Sequence, residues 1–173
     1  MLPSERALKS VESGEVDADF GRVMGGTAGY QNMIELTESL SEITLLAVVK
    51  KGSPITAITP PDLKSRKVGL LRGTKMAEGL MGKLGTEATP VNTNQQLYQM
   101  LTNDRFEVAL TTSTLPVPPD MVASVTVLPA PVAVAKVVHV LGKKWSAYGP
   151  KLDAALKAMK ADGRWAKLLP NSK

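Results

Sequence analysis

Short apolar runs alternate with helically spaced segments along most of the chain. Val68-Gly69-Leu70-Leu71 is a compact apolar run of the kind a buried parallel strand needs, and Gly73-Thr74 breaks it. From Lys75 to Leu84 the apolar residues take helical spacing, so a helix is predicted to open where that strand ends. Upstream, Pro3-Ser4-Glu5-Arg6 predicts a helix start with Ser4 as N-cap, an apolar face of Ala7, Leu8 and Val11, and an end at Gly14. Val16 to Val23 alternates as a strand should, Met24 to Gly29 is a Gly-rich loop, 34–43 is ambiguous, and Thr44 to Val49 is an apolar strand.

The rhythm continues downstream. Thr89-Pro90-Val91 predicts a short strand, and Asn92, Thr93 and Asn94 offer caps for a helix running to about Leu101. Phe106 to Leu110 predicts a strand ending in Thr111-Thr112-Ser113-Thr114, followed by a loop rich in proline. Further strands are predicted over Val125–Leu128 and Val137–Leu141. An amphipathic helix follows over Lys151–Met159, with Leu152, Ala155, Leu156 and Met159 on one face, and a last helical turn or two over Arg164–Leu169. Strands alternating with helices predict a parallel α/β architecture. The strands at 44–49 and 137–141 bracket the middle, so the expected organisation is a discontinuous first lobe, 1–51 with 135–173, and an inserted second lobe, 52–134, joined by two crossover strands.

Composition narrows the chemistry. The 173 residues are 43% hydrophobic and 21% charged, ordinary for a globular chain, and aromatics at 4% are too sparse for a platform that stacks single-stranded nucleic acid. The net charge of +5 is spread over scattered pairs such as Lys50-Lys51 and Lys143-Lys144, which reads as solvated surface, with no nucleic-acid partner expected. The absence of cysteine removes disulfides, thiol catalysis and Cys-based metal sites, and neither a metal nor a cofactor is expected. The single histidine, His139, lies in an apolar run with no Ser/His/Asp set around it, so a core or hinge position is expected. No apolar run is long enough to span a membrane and no leader is legible, so export would require a leader absent from this sequence.

Four stretches, in order, resemble one family. Glu5-Arg6-Ala7-Leu8 through Ser13-Gly14-Glu15-Val16-Asp17-Ala18 is similar to its first-lobe helix and strand. Asp62-Leu63-Lys64 with Lys67-Val68-Gly69 and Gly73-Thr74 is similar to its entry into the second lobe. Leu101 through Arg105-Phe106-Glu107-Val108-Ala109 is similar to a later strand, and Leu152–Leu156 with Lys160-Ala161-Asp162-Gly163 to its closing helix. The family is that of the bacterial extracellular solute-binding proteins of family 3, which have the type II periplasmic-binding-protein fold and serve ABC importers. The resemblance implies a periplasmic or extracellular α/β protein of two lobes, a small polar or anionic solute, and the membrane permease of an importer as partner. It also implies that a strand, a helix and a second strand would precede residue 1. The first lobe is then incomplete, with an unpaired sheet edge through which a second copy could pair.

The site implied by the resemblance holds a ligand carboxylate on the Gly73-Thr74 turn, with Arg72 and Lys75 adding positive charge and Arg22 as the first-lobe arginine. The family's acidic residue for an amino-acid ammonium is replaced by Thr111-Thr112-Ser113-Thr114, so Thr112 and Ser113 would offer hydroxyls only. Arg22, Arg72 and Lys75 are therefore expected to be unopposed and to favour an anion. The residues leave Arg22 open as a surface residue and the turn open as an ordinary strand-to-helix connection. Three functions follow. The first is a non-enzymatic solute-binding protein of an ABC-type importer. The second is a truncated or degenerate binding-protein fold acting as an interaction module through its open edge. The third is an enzyme drawing on Glu35, Glu38 or Glu78, for each of which surface solvation is the better reading.

Overall fold

A computed structural model describes residues 4–168. Its elements are α1 (Ser4–Glu12), β1 (Ala18–Val23), β2 (Met33–Glu35), β3 (Ser41–Lys50), β4 (Val68–Leu71), α2 (Lys75–Leu84), β5 (Thr89–Val91), α3 (Asn94–Thr102), β6 (Val108–Thr112), β7 (Val125–Val127), β8 (Ala133–Gly142), α4 (Gly149–Ala161) and α5 (Arg164–Leu168). The chain divides into two compact units, Met1–Glu42 with Ala135–Lys173, and Ile43–Val134. It passes from one to the other within β3 and again within β8.

In the first unit β8 is the central strand, with β1 antiparallel on one side and β2 antiparallel on the other. Leu8 and Val11 of α1 pack with Met33 and Val140, and Tyr30 lies against them. The expected Ser4 cap concerns a side chain outside the described residues. β1 starts at Ala18, two residues later than its alternation predicts, and a bulge between Asp19 and Arg22 interrupts its register with β8. Gly21 takes the left-handed conformation there (φ +79°), which an L side chain rarely adopts. The loop 24–29 is tied down by Glu35, whose carboxylate accepts the N–H groups of Gly25 (2.7 Å) and Thr27 (3.0 Å) and the Thr27 hydroxyl (2.9 Å).

The helix α4 departs from its predicted face. Of Leu152, Ala155, Leu156 and Met159 only Leu156 is buried, and Leu152 is 43% exposed. Polar contacts hold much of the helix instead. The Asp153 carboxylate accepts the N–H of Thr37 (3.1 Å) and of Glu38 (2.9 Å), and Lys160 pairs with Glu38 at 2.5 Å. Just beyond, the Trp165 indole donates to the Leu40 carbonyl at 2.9 Å.

In the second unit the strand order is β3–β6–β4–β5, with β4 parallel to both β5 and β6 and β3 antiparallel to β6; β7 adds to the other side of β3. Alternation along these strands feeds two cores. Val108 and Leu110 of β6 join Leu45, Ala47 and Val49 of β3 against Ala77 and Met81 of α2. Ala109 and Val48, pointing the other way, join Leu97, Tyr98 and Leu101 of α3. The two helices therefore cover opposite faces, which is why these strands are apolar throughout.

Phe106 is not part of β6, although its apolar neighbours predict a strand from that residue; the strand begins at Val108. Its ring lies over Gly69 of β4, where an added Cβ would come within 2.3 Å of it. Gly69→Ala is expected to destabilise the protein by about 1–3 kcal/mol through overpacking, with part of the loss recovered in Gly69→Ala/Phe106→Leu. Urea unfolding of the four members of the cycle measures this, and additive effects would show that the contact does not carry the cost.

Candidate functional site

β4, β5 and β6 run parallel, so their carboxyl ends share one edge of the second unit. Open α/β sheets use such an edge to meet ligands, because helices begin there with unpaired N–H groups. Along it lie Arg72-Gly73-Thr74-Lys75 after β4, Asn92-Thr93 after β5, and Thr112 at the end of β6 with Ser113 following. Six of the seven site residues expected from the sequence are thus gathered on one edge. Arg22 belongs to the other unit, in β1, where its guanidinium pairs with Asp19.

The turn after β4 is built by its own backbone. Gly73 is left-handed (φ +86°), and the Thr74 N–H donates to the Leu71 carbonyl at 3.1 Å. Thr74 is the N-cap of α2, with its carbonyl accepting from the Glu78 N–H at 3.0 Å. Arg72 is anchored twice: its N–H donates to the Val91 carbonyl (2.8 Å) and its Nε to Asn92 Oδ1 (3.3 Å). On the neighbouring strand Thr112 is buried, with its hydroxyl 3.0 Å from that of Thr114. Ser113 is bonded to Thr44 twice, its N–H donating to the Thr44 carbonyl (3.0 Å) and its Oγ accepting the Thr44 N–H (3.2 Å).

The expectation of unopposed positive charge is corrected by the ion pairs. Lys75 pairs with Glu78 at 3.2 Å, one helical turn away, and Arg22 pairs with Asp19. Glu78 does more than neutralise: its Oε1 accepts the Gly73 N–H at 2.7 Å, so a side-chain carboxylate already sits on the turn where a ligand carboxylate was expected. That hydrogen bond holds the Glu78 carboxyl below the ordinary carboxylate range; partial burial opposes the shift, and Lys75 and Arg72 add to it. From the sequence Glu78 stands only as an acid–base candidate and its place on this turn is missed, although an acidic group in the first turn of a helix is a legible signal of dipole pairing. The other two glutamates considered for acid–base work are likewise engaged, Glu35 by the loop 24–29 and Glu38 by Lys160 and the α4 contact.

A discontinuous α/β unit and an inserted one, exchanged through two long strands, define the type II periplasmic-binding-protein-like fold. No protein-family model matches the sequence, and no curated protein matches it. Solved structures do. The ligand-binding core of GluR0 in complex with L-glutamate superposes with a TM-score of 0.75 at 12% identity, covering 96% of this chain and 76% of that one. A histidine kinase sensor domain with similarity to periplasmic binding proteins gives 0.72 at 17% identity, covering 97% and 76%. The arginine-, lysine-, histidine-binding protein ArtJ from Geobacillus stearothermophilus gives 0.61 at 22% identity, covering 92% and 71%. The chain therefore spans about three quarters of the length of each of these chains. No helix among the described residues is long and apolar enough to cross a membrane.

The Glu78 contact has a testable pH signature. A carboxyl whose folded pKa lies below its unfolded value of about 4.3 contributes stability that is present above that value and is lost as the pH falls through the folded pKa. Glu78→Gln is expected to flatten the acid limb, so that urea stability measured from about pH 6 down to about pH 3 falls less steeply in the variant than in the parent. Parallel curves would show that the carboxylate makes no such contribution.

Proposed function

We propose that this protein is a solute-binding protein that captures a small polar or anionic, amino-acid-like solute and presents it to the membrane permease of an ABC-type importer, outside the cytoplasm. One observation carries the reading. The carboxyl edge of β4 holds a carboxylate, that of Glu78, on the Gly73 N–H beside Lys75 and Arg72. Donors that bind an internal carboxylate have the chemistry to bind a ligand's. The fold adds support, since its solved neighbours include one in complex with L-glutamate and an ancestral arginine-binding protein bound to arginine.

Glu78 sharpens the solute class. A simple anion must displace it or share its donors, whereas a solute carrying both a carboxylate and a cationic group can bond the first turn of α2 and pair with Glu78. Glu78 would then supply the acidic partner that Thr111-Thr112-Ser113-Thr114 lacks. Arg22 is the proposed first-lobe contact, and Thr112 and Ser113 the hydroxyl lining.

Calorimetric titration with L-arginine, L-glutamate and succinate tests this. Saturable one-to-one binding of at least one is expected. Lys75→Ala is expected to weaken a carboxylate ligand by up to about fivefold, in line with the roughly 0.2–1 kcal/mol that an exposed ion pair is worth. Thr74→Asp, which adds a negative charge at the same turn, and Arg22→Ala are expected to weaken it as well. Glu78→Gln is expected to favour succinate and penalise L-arginine. Absence of saturable binding by all three in the folded protein would count against a solute-binding role, and unchanged affinity in the Thr74 and Lys75 variants would remove the turn from the site.

A further inference from the structure

The bend between β2 and β3 is held by side chains from the other end of the first unit's sequence. Sheet contacts secure its two ends, where the Leu36 N–H donates to the His139 carbonyl (2.9 Å) and the Leu40 N–H to that of Val137 (2.7 Å). The residues between are bonded from α4 and α5. Besides the N–H groups of Thr37 and Glu38, Asp153 accepts the Thr37 hydroxyl at 2.5 Å, so one carboxylate satisfies two backbone donors that do not pair with β8. Lys160 donates to Ser39 Oγ (3.4 Å) as well as to Glu38, and the Trp165 indole donates to the Leu40 carbonyl. Every residue from Thr37 to Leu40 is thus bonded by one of these two helices. Apolar burial adds little, since α4 buries Gly149 and Leu156 and α5 buries no residue. Gly149 opens α4 in close packing, where an added Cβ would stand 3.5 Å from both Ile34 and Leu36.

We infer that α4 and α5 form a polar clasp on the segment that leads into β3, fixed at Gly149 and able to release beyond it as one unit, with Asp153, Lys160 and Trp165 as its positioning residues. Segments held by few buried apolar contacts and by partly exposed hydrogen bonds lie at the low-stability end of a fold and open locally. The contrast with the other helices is plain. α1 buries Leu8 and Val11, α2 buries Ala77 and Met81, and α3 buries Leu97, Tyr98 and Leu101, whereas Leu156 is the one large apolar side chain buried by α4. The clasp's bonds also overlap. Asp153 and Lys160 both hold Glu38, and Lys160 and Trp165 hold the adjacent Ser39 and Leu40, so the loss of one contact loosens its neighbours. Release would leave 37–40 tied to β8 at Leu40 alone and to its own flanking strands. β3 is one of the two strands through which the chain passes from the first unit to the second, so the clasp sets how firmly the start of that strand is held. The inference is independent of the solute reading, because each of these residues lies in the first unit.

Hydrogen exchange read by mass spectrometry on the full chain tests the proposal. In the parent, the segment 37–40 and the helices α4 and α5 are expected to exchange together, and faster than α1 and β8. Asp153→Ala, Lys160→Met and Trp165→Phe are each expected to speed exchange in both regions by at least about tenfold, with α1, β8 and the second unit unchanged. Trp165→Phe keeps an aromatic ring and removes only the donor, and Asp153→Asn, which keeps one acceptor oxygen, is expected to restore part of the protection lost in Asp153→Ala. Unchanged exchange in the second unit confirms that each variant folds. The proposal is overturned if the two regions exchange at separate rates in the parent, or if 37–40 keeps its protection in all three variants. It is overturned as well if every peptide of the first unit speeds alike, because the helices would then open only with the whole unit.

Discussion

The close approach of the Phe106 ring to Gly69 is the constraint on which the second unit rests. β4 and β6 are adjacent parallel strands buried on both faces, and the chain enters β6 through a tight connection after α3. That entry requires a bulky anchor at Phe106 to close the α3 core, and the ring has room only because its neighbour on β4 has no side chain. With the two strands locked in register, their carboxyl ends come level, and the Gly73–Lys75 turn and Thr112–Ser113 share one edge. The placement of the candidate site is thus a consequence of packing at the opposite end of the same strands.

Electrostatics at that edge shows why residue type alone misjudges a site. Arg72 and Lys75 flanking a glycine turn suggest an unopposed cationic cradle. The helix that supplies the cradle also supplies its counter-charge, because a residue one turn along α2 lies close enough to Lys75 to pair with it. Glu78 bonds Lys75 and the Gly73 N–H together, so the turn is pre-organised with a carboxylate in place. Donors held in position this way would cost little to reorganise if a ligand carboxylate took the place of the internal one.

The elements that the sequence made legible are those whose signals are local. β4, α2 and β5 match their predicted limits because a compact apolar run, helical spacing and a three-residue strand between Ala88 and the Asn92-Thr93 caps each decide within a few residues. The ambiguity at 34–43 had a physical basis: two short strand segments with a bend between them leave no period to detect, and β3 begins at polar Ser41-Glu42. Phe106 misled because an apolar residue before a strand looks like the strand's first residue, and only the contact with Gly69 distinguishes them. The candidate turn was legible as a turn, whereas Thr112 and Ser113 were reached only through the family resemblance. The role of Glu78 was not legible, since it depends on a side chain folding back across one helical turn.

The same distinction explains α4. Periodicity establishes that a helix has an apolar side, not that anything covers it. Where a helix of this kind is held by burial, its apolar stripe is spent on the core. Here Leu156 alone of the four apolar positions is buried, and the helix is secured to the segment before β3 by Asp153 on the Thr37 and Glu38 N–H groups and by Lys160 on Glu38. Burial pushes the Asp153 carboxyl up, yet the hydrogen bonds from Thr37 and Glu38 outweigh it and leave the group below the usual carboxylate range. A helix pinned by directional polar contacts keeps its orientation without its apolar stripe, which leaves Leu152 and Ala155 exposed. The second unit, with two helices spent on two cores, has no comparable stripe on α2 or α3: Ala77 and Met81 on one, and Leu97, Tyr98 and Leu101 on the other, are buried.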